Sequence, residues 1–159
     1  GHFGKSVLVV LMIVGGCSGS TAGGLKVGRI VLTARFVIAE LRASFRPKEL
    51  RNVRLGGKLM DGAGQGQLFL VVAMFGFFLI GGTLVMSSLE PETSFIGSLS
   101  AVLSCLCNVG PAFAEFGPRD NFAHVEPPGA LVLSVLMILG RLEYVAVLVL
   151  FSRRLWKKY

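Results

Sequence analysis

Two short runs hold the residues whose types and spacing could do chemistry. Gly16-Cys17-Ser18-Gly19-Ser20-Thr21 and Cys107-Asn108-Val109-Gly110 each follow a short apolar stretch. Glycine allows backbone angles that other residues resist. An extended segment there can turn its carbonyl oxygens toward an ion and replace the ion's hydration shell. The C-terminal end of a preceding helix carries partial negative charge, which favours a cation. The same glycines suit a second purpose. Gly15/Gly19, Gly19/Gly23 and Gly24/Gly28 have the small-xxx-small spacing of closely packed helices. Residue types alone leave both readings open.

Arg141 is the third candidate. It stands near the middle of residues 129–151, a stretch otherwise apolar save Glu143 and a few small polar groups. An arginine at such a depth in a bilayer costs about 2.5–3.5 kcal/mol on insertion scales, so it faces a bundle interior or water. Glu143 lies two positions on and does not share its helix face. Beside an ion path, Arg141 would be a fixed positive charge that raises a barrier or pairs with a gating element. Bonded to backbone carbonyls, it would be structural.

Other motifs carry less. Cys17, Cys105 and Cys107 lie in apolar, glycine-rich surroundings and read as small buried residues. A Cys-x-Cys pair without a second Cys/His pair is a poor zinc site. Gly4-Lys5-Ser6 resembles the end of a phosphate loop, but no strand precedes it. His2 is terminal and His124 falls in a polar loop. Trp156 and Tyr159 suit an interfacial anchor.

These candidates need elements to hold them. Residues 68–89 form 22 uncharged positions, close to the roughly 20 that a membrane helix requires. Residues 129–151 form a second span of 23, after Pro127-Pro128 and before Arg153-Arg154. Residues 94–110 are uncharged, but a helix over the first dozen covers only about 18 Å, against a core of about 30 Å. Glycine and proline then break it. The spacing predicts a short helix followed by an extended return, a re-entrant loop that must be buried in protein or wetted. Residues 7–14, the glycine run and residues 25–45 repeat that order, so a second re-entrant helix, loop and inner helix are expected there. One complete unit of helix, re-entrant loop and helix (67–152) thus follows the last part of another (1–45), an internal repeat of the kind found in transport proteins. The chain reads as a segment of a longer polypeptide.

Composition agrees. The 159 residues are 53% hydrophobic and only 16% charged, with 21 glycines and a mean hydropathy of +0.71. Soluble domains carry roughly 25% charged residues. Disorder is excluded, and an ordinary cytosolic enzyme is a poor fit. The net charge of +7 is not a nucleic-acid footprint, because the basic residues sit between and beyond the apolar runs. Residues 46–66 carry net +3, the tail 152–159 net +4, and residues 111–128 net −2. The positive-inside rule places the loop 46–66 and the C-terminus in the cytoplasm and 111–128 outside. Two crossings satisfy this; a third at 94–110 would not.

Three motifs in order resemble those of the Trk/Ktr-type potassium uptake proteins. Gly15-Gly16-Cys17-Ser18-Gly19-Ser20-Thr21-Ala22-Gly23-Gly24-Leu25-Lys26 resembles their third pore loop, and Cys107-Asn108-Val109-Gly110-Pro111 their fourth. Leu139-Gly140-Arg141-Leu142-Glu143, with Leu150-Phe151-Ser152-Arg153-Arg154-Leu155-Trp156, resembles their last helix and C-terminus. Arg51-Asn52-Val53-Arg54-Leu55-Gly56-Gly57-Lys58 is similar to the connection between their third and fourth repeats. Cys107 departs from the glycine frequent there.

The resemblance implies an all-α membrane protein of potassium-channel type, in which four covalently joined helix–pore-loop–helix repeats build one pore. Its divisions would be 1–45 (end of the third repeat), 46–66 (cytoplasmic loop), 67–152 (fourth repeat) and 153–159 (cytoplasmic tail). It implies filter positions at Ser18, Gly19, Ser20, Asn108, Val109 and Gly110, with potassium as the ion and no organic cofactor. Arg141 would gate, near a loop of the third repeat's inner helix within roughly 27–38. Partners would be the preceding repeats of the same polypeptide, a second copy in a homodimer, a cytosolic nucleotide-binding regulatory subunit and the lipid of the plasma (inner) membrane. Enzymatic activity and nucleic-acid binding are not implied. The rival reading is a proton- or sodium-coupled secondary transporter with broken helices, which needs a membrane acid such as Glu143 or Glu40.

Overall fold

The computed structural model describes residues 2–17, 23–45, 54–55, 58–59, 62–117 and 122–142. They form five α-helices: α1 (His2–Val14), α2 (Val27–Phe45), α3 (Gly62–Leu89), α4 (Phe95–Cys107) and α5 (Pro127–Arg141). Between α2 and α3, the two-residue strands β1 (Arg54–Leu55) and β2 (Lys58–Leu59) pair antiparallel, Arg54 opposite Leu59. This all-α membrane fold is the expected class.

The helix over 68–89 is present and starts earlier, at Gly62. Within it, Gly66–Leu89 is long and apolar enough to cross a membrane, by length and composition. Leu68, Val71, Phe75, Gly82, Met86 and the adjoining Glu90 are buried along one side. Phe69, Phe77, Ile80 and Leu84 are exposed along the other, Phe69 at 72%. A helix apolar on both faces belongs in lipid.

α4 is the hub. It packs against α3, α5 and α1, and every residue from Ala101 to Cys107 is buried. Its 13 residues rise about 20 Å, too few to cross a bilayer. Ser94 caps its N-terminus by accepting the Gly97 amide at 3.1 Å.

α5 begins two residues before the expected span. Pro127 and Pro128 suit the first helical positions, where no amide is needed. It buries Gly129, Leu133, Leu136 and Gly140, a stripe at helical spacing, and packs on α4. The helix ends at Arg141, and the Leu142 amide bonds back to the Ile138 carbonyl at 3.0 Å. The rest of the expected span, with Glu143, and the tail 153–159 lie outside the described residues.

Candidate functional site

The α4 terminus is a Schellman turn. Asn108 takes the left-handed conformation (φ 52, ψ 44). Its amide bonds the Cys105 carbonyl at 3.2 Å, and the Val109 amide bonds the Ser104 carbonyl at 3.0 Å. The Asn108 side chain is committed elsewhere: Nδ2 donates to the Met137 carbonyl of α5 at 3.2 Å. Gly110, at φ +103, sits where a side chain would strain the backbone.

From there the chain runs back beside α4. The Ser100 hydroxyl accepts the Phe113 amide at 2.9 Å and donates to the Gly97 carbonyl at 2.9 Å. Farther along, the Ser94 hydroxyl donates to Glu115 Oε2 at 3.0 Å. A helix followed by an antiparallel extended return is the re-entrant hairpin expected for 94–110.

Val109, Gly110 and Pro111 are exposed at the tip of this hairpin. Among the described residues no backbone amide bonds the carbonyls of Asn108, Val109 or Gly110. Unpartnered carbonyls at membrane depth need water or a cation. No group of three or more His, Cys, Asp or Glu residues able to hold a metal occurs among the described residues. The unpartnered main-chain oxygens are the candidate ligands. A cavity of about 670 Å³ separates the hairpin from α1, with Val109, Ala112 and Phe113 on one wall, Leu8 and Met12 on the other, and Lys5 also lining it.

The glycine run after α1 is described at its two flanks, 15–17 and 23–26. The Leu25 amide bonds the Ile13 carbonyl and the Val27 amide the Gly16 carbonyl, both at 3.3 Å. The described chain meets the last turn of α1 before α2 starts at Val27. Residues 23–26 thus return to the C-terminal end of α1. Ser18, Gly19 and Ser20 lie outside the described residues. The Gly23 amide donates to the Cys107 carbonyl at 2.9 Å, so the loop touches the end of α4.

Arg141 closes α5 at that same end. Its neighbour Gly140 lies directly against the Leu106 carbonyl, where any Cβ would collide. The arginine side chain is exposed, and its charge complements the helix C-terminus. Val27–Ile38, where a gating loop was expected, is continuous helix within α2.

The sequence reading passed over three further features. Gly23 and Gly140 both touch the last turn of α4; the 129/133/136/140 spacing was the available signal. Glu90 is buried, and its Oε1 accepts the Glu126 amide at 2.8 Å at the start of α5. His124 lies 5.0 Å from the ring of buried Phe116. At that polar end Glu115 is held below the usual carboxylate range, first by its own backbone amide and then by Ser94.

Residues 2–158 match the family described as TrkH, cation transport protein. The chain is 30% identical over 156 residues to the Trk system potassium uptake protein TrkH of Salmonella typhimurium, covering 96% of this chain and 31% of that protein. It is 33% identical over 156 residues to the Trk system potassium uptake protein TrkH of Halomonas elongata, with the same coverage of 96% and 31%. The crystal structure of the potassium transporter TrkH from Vibrio parahaemolyticus superposes with a TM-score of 0.84 at 27% identity, covering 98% of this chain and 32% of that one. The chain spans about a third of the length of these relatives. Its match over nearly every residue places it in the TrkH family of cation transport proteins.

Proposed function

We propose that this chain supplies the closing part of a gated, passive pore for potassium. The observation that carries the proposal is the exposed hairpin tip, where the Asn108, Val109 and Gly110 carbonyls have no backbone amide partner among the described residues. Such oxygens offset the dehydration of potassium. Sodium, smaller and more strongly hydrated, is matched less well. The relatives named as potassium uptake proteins support the choice of ion.

In this proposal Asn108–Gly110 is one wall of a filter completed by other repeats of the full polypeptide. Ser18, Gly19 and Ser20 supply a second wall, on the loop whose flanking Gly23 meets the base of α4. Arg141 stands beside the same base and limits leak when the pore is closed. The basic loop 46–66 and the C-terminus face the cytoplasm of a plasma-membrane protein that pairs as a homodimer and docks a cytosolic nucleotide-binding regulator. No observation favours the ion-coupled carrier; Glu40 is on the exposed side of α2.

The test is Gly110→Ser in the full-length protein. Uptake of potassium and sodium is measured in cells lacking other potassium systems. The expected result is a reduced potassium-over-sodium preference; an unchanged ratio overturns the filter assignment. In the same assay Arg141→Ala raises flux or loosens its regulation, and wild-type transport in that variant removes Arg141 from gating.

A further inference from the structure

The last turn of a helix leaves carbonyls without helical partners. In α4 the Ser104 and Cys105 carbonyls are taken by the Schellman turn. The next two are addressed from outside, on two sides, by glycine. Cys107 O accepts the Gly23 amide at 2.9 Å. A Cβ on Gly23 would stand 2.8 Å from both the carbonyl carbon and oxygen of Cys107 and 3.0 Å from Leu106 O. Gly140 presents its bare α-carbon to Leu106 O so closely that a Cβ there has no room. Gly23, Gly140, Leu106 and Cys107 are all buried. One glycine comes from the α1–α2 loop and the other from α5, so two separate elements meet on the same turn.

We propose that Gly23 and Gly140 form a clamp on the end of α4 that sets ion preference by fixing the position of the Asn108–Gly110 loop. The inference rests on the filter reading above. Asn108 follows Cys107 directly, so a displacement of the helix end carries the loop carbonyls with it. Close-packed interiors transmit such displacements instead of absorbing them. A side chain at Gly23 breaks the hydrogen bond that its N–H donates to the Cys107 carbonyl. A side chain at Gly140 forces α5 away, and α5 carries the Met137 carbonyl that holds Asn108. Gly23 and Gly140 are positioning residues and touch no ion.

The experiment uses the full-length protein with Gly23→Ala, Gly140→Ala and Gly110→Ser, and measures KM and Vmax for potassium and sodium separately. The expected result for each clamp variant is a fall in potassium-over-sodium preference of about fivefold, the size one lost hydrogen bond allows. A purely structural role lowers Vmax for both ions alike and leaves the preference unchanged; that result overturns the clamp. Altered preference in Gly110→Ser with none in the clamp variants overturns the clamp and leaves the filter reading intact. No change in Gly110→Ser overturns the filter reading and the clamp with it. A variant-free measurement covers failure of the substitutions to fold. Cys107 lies under the clamp, whereas Cys17 is exposed. Treatment of the wild-type protein with a membrane-permeant maleimide, followed by peptide mass spectrometry, is expected to label Cys17 and spare Cys107. Labelling of both at similar rates overturns the clamp.

Discussion

Asn108 does two things that pull in different directions when it is replaced. Its left-handed backbone ends α4, and its side chain ties the hairpin to α5. Asparagine tolerates that conformation better than most residues. Asn108→Gly removes the tether and keeps an unstrained turn. Asn108→Ala removes the tether and adds strain of about 1 kcal/mol. The two variants lack the same hydrogen bond, so their difference isolates the backbone. Thermal unfolding of the purified full-length protein is expected to rank wild type above Asn108→Gly and Asn108→Ala lowest. Equal stability of the two variants would mean that the left-handed turn has little energetic weight.

At the scale of elements, α3 and α5 are joined across 36 residues by one buried carboxylate, where Glu90 accepts the Glu126 amide at the start of α5. A charge there also meets the positive end of the α5 dipole. Gly129 leaves room for it, since a Cβ would sit 2.8 Å from Glu90 Oε1. Hydrogen bonds to charged groups contribute about 1.5–3 kcal/mol, so Glu90→Ala is expected to lower stability by about 2 kcal/mol and Glu90→Gln by less. Denaturant unfolding of the full-length protein in detergent measures both, and a neutral Glu90→Ala would show that the contact only fills space. The long apolar run of α3, the short span of α4 and the Pro-Pro start of α5 were legible because length, charge and proline chemistry are local. The partner that holds the return after α4 was not. The α4 return is held by Ser100, seven positions before the helix end, whose hydroxyl bonds Phe113. That partner lies outside the motif. Glu90 was hidden for the same reason: its amide partner is distant in sequence.

At the scale of the molecule, the described helices leave large apolar side chains exposed on several elements, among them Leu11 of α1 at 58%, Ile80 of α3 at 64% and Leu131 of α5 at 65%. Lipid covers such surface, and so do neighbouring helices of the same protein. The relatives are about three times as long as this chain. The loops of this chain offer only an arc of carbonyls, whereas an ion stripped of its water is held by a ring drawn from several loops. An isolated arc leaves most of the ion's dehydration uncompensated, so the barrier to permeation stays high. The 159-residue chain alone, reconstituted in potassium-loaded liposomes, is therefore expected to leak potassium no faster than protein-free vesicles, while the full-length protein conducts. Flux from the chain alone would mean that copies close a ring around their own hairpins. In that case the leak would rise more steeply than linearly with protein-to-lipid ratio, and Gly110→Ser would change its ion preference.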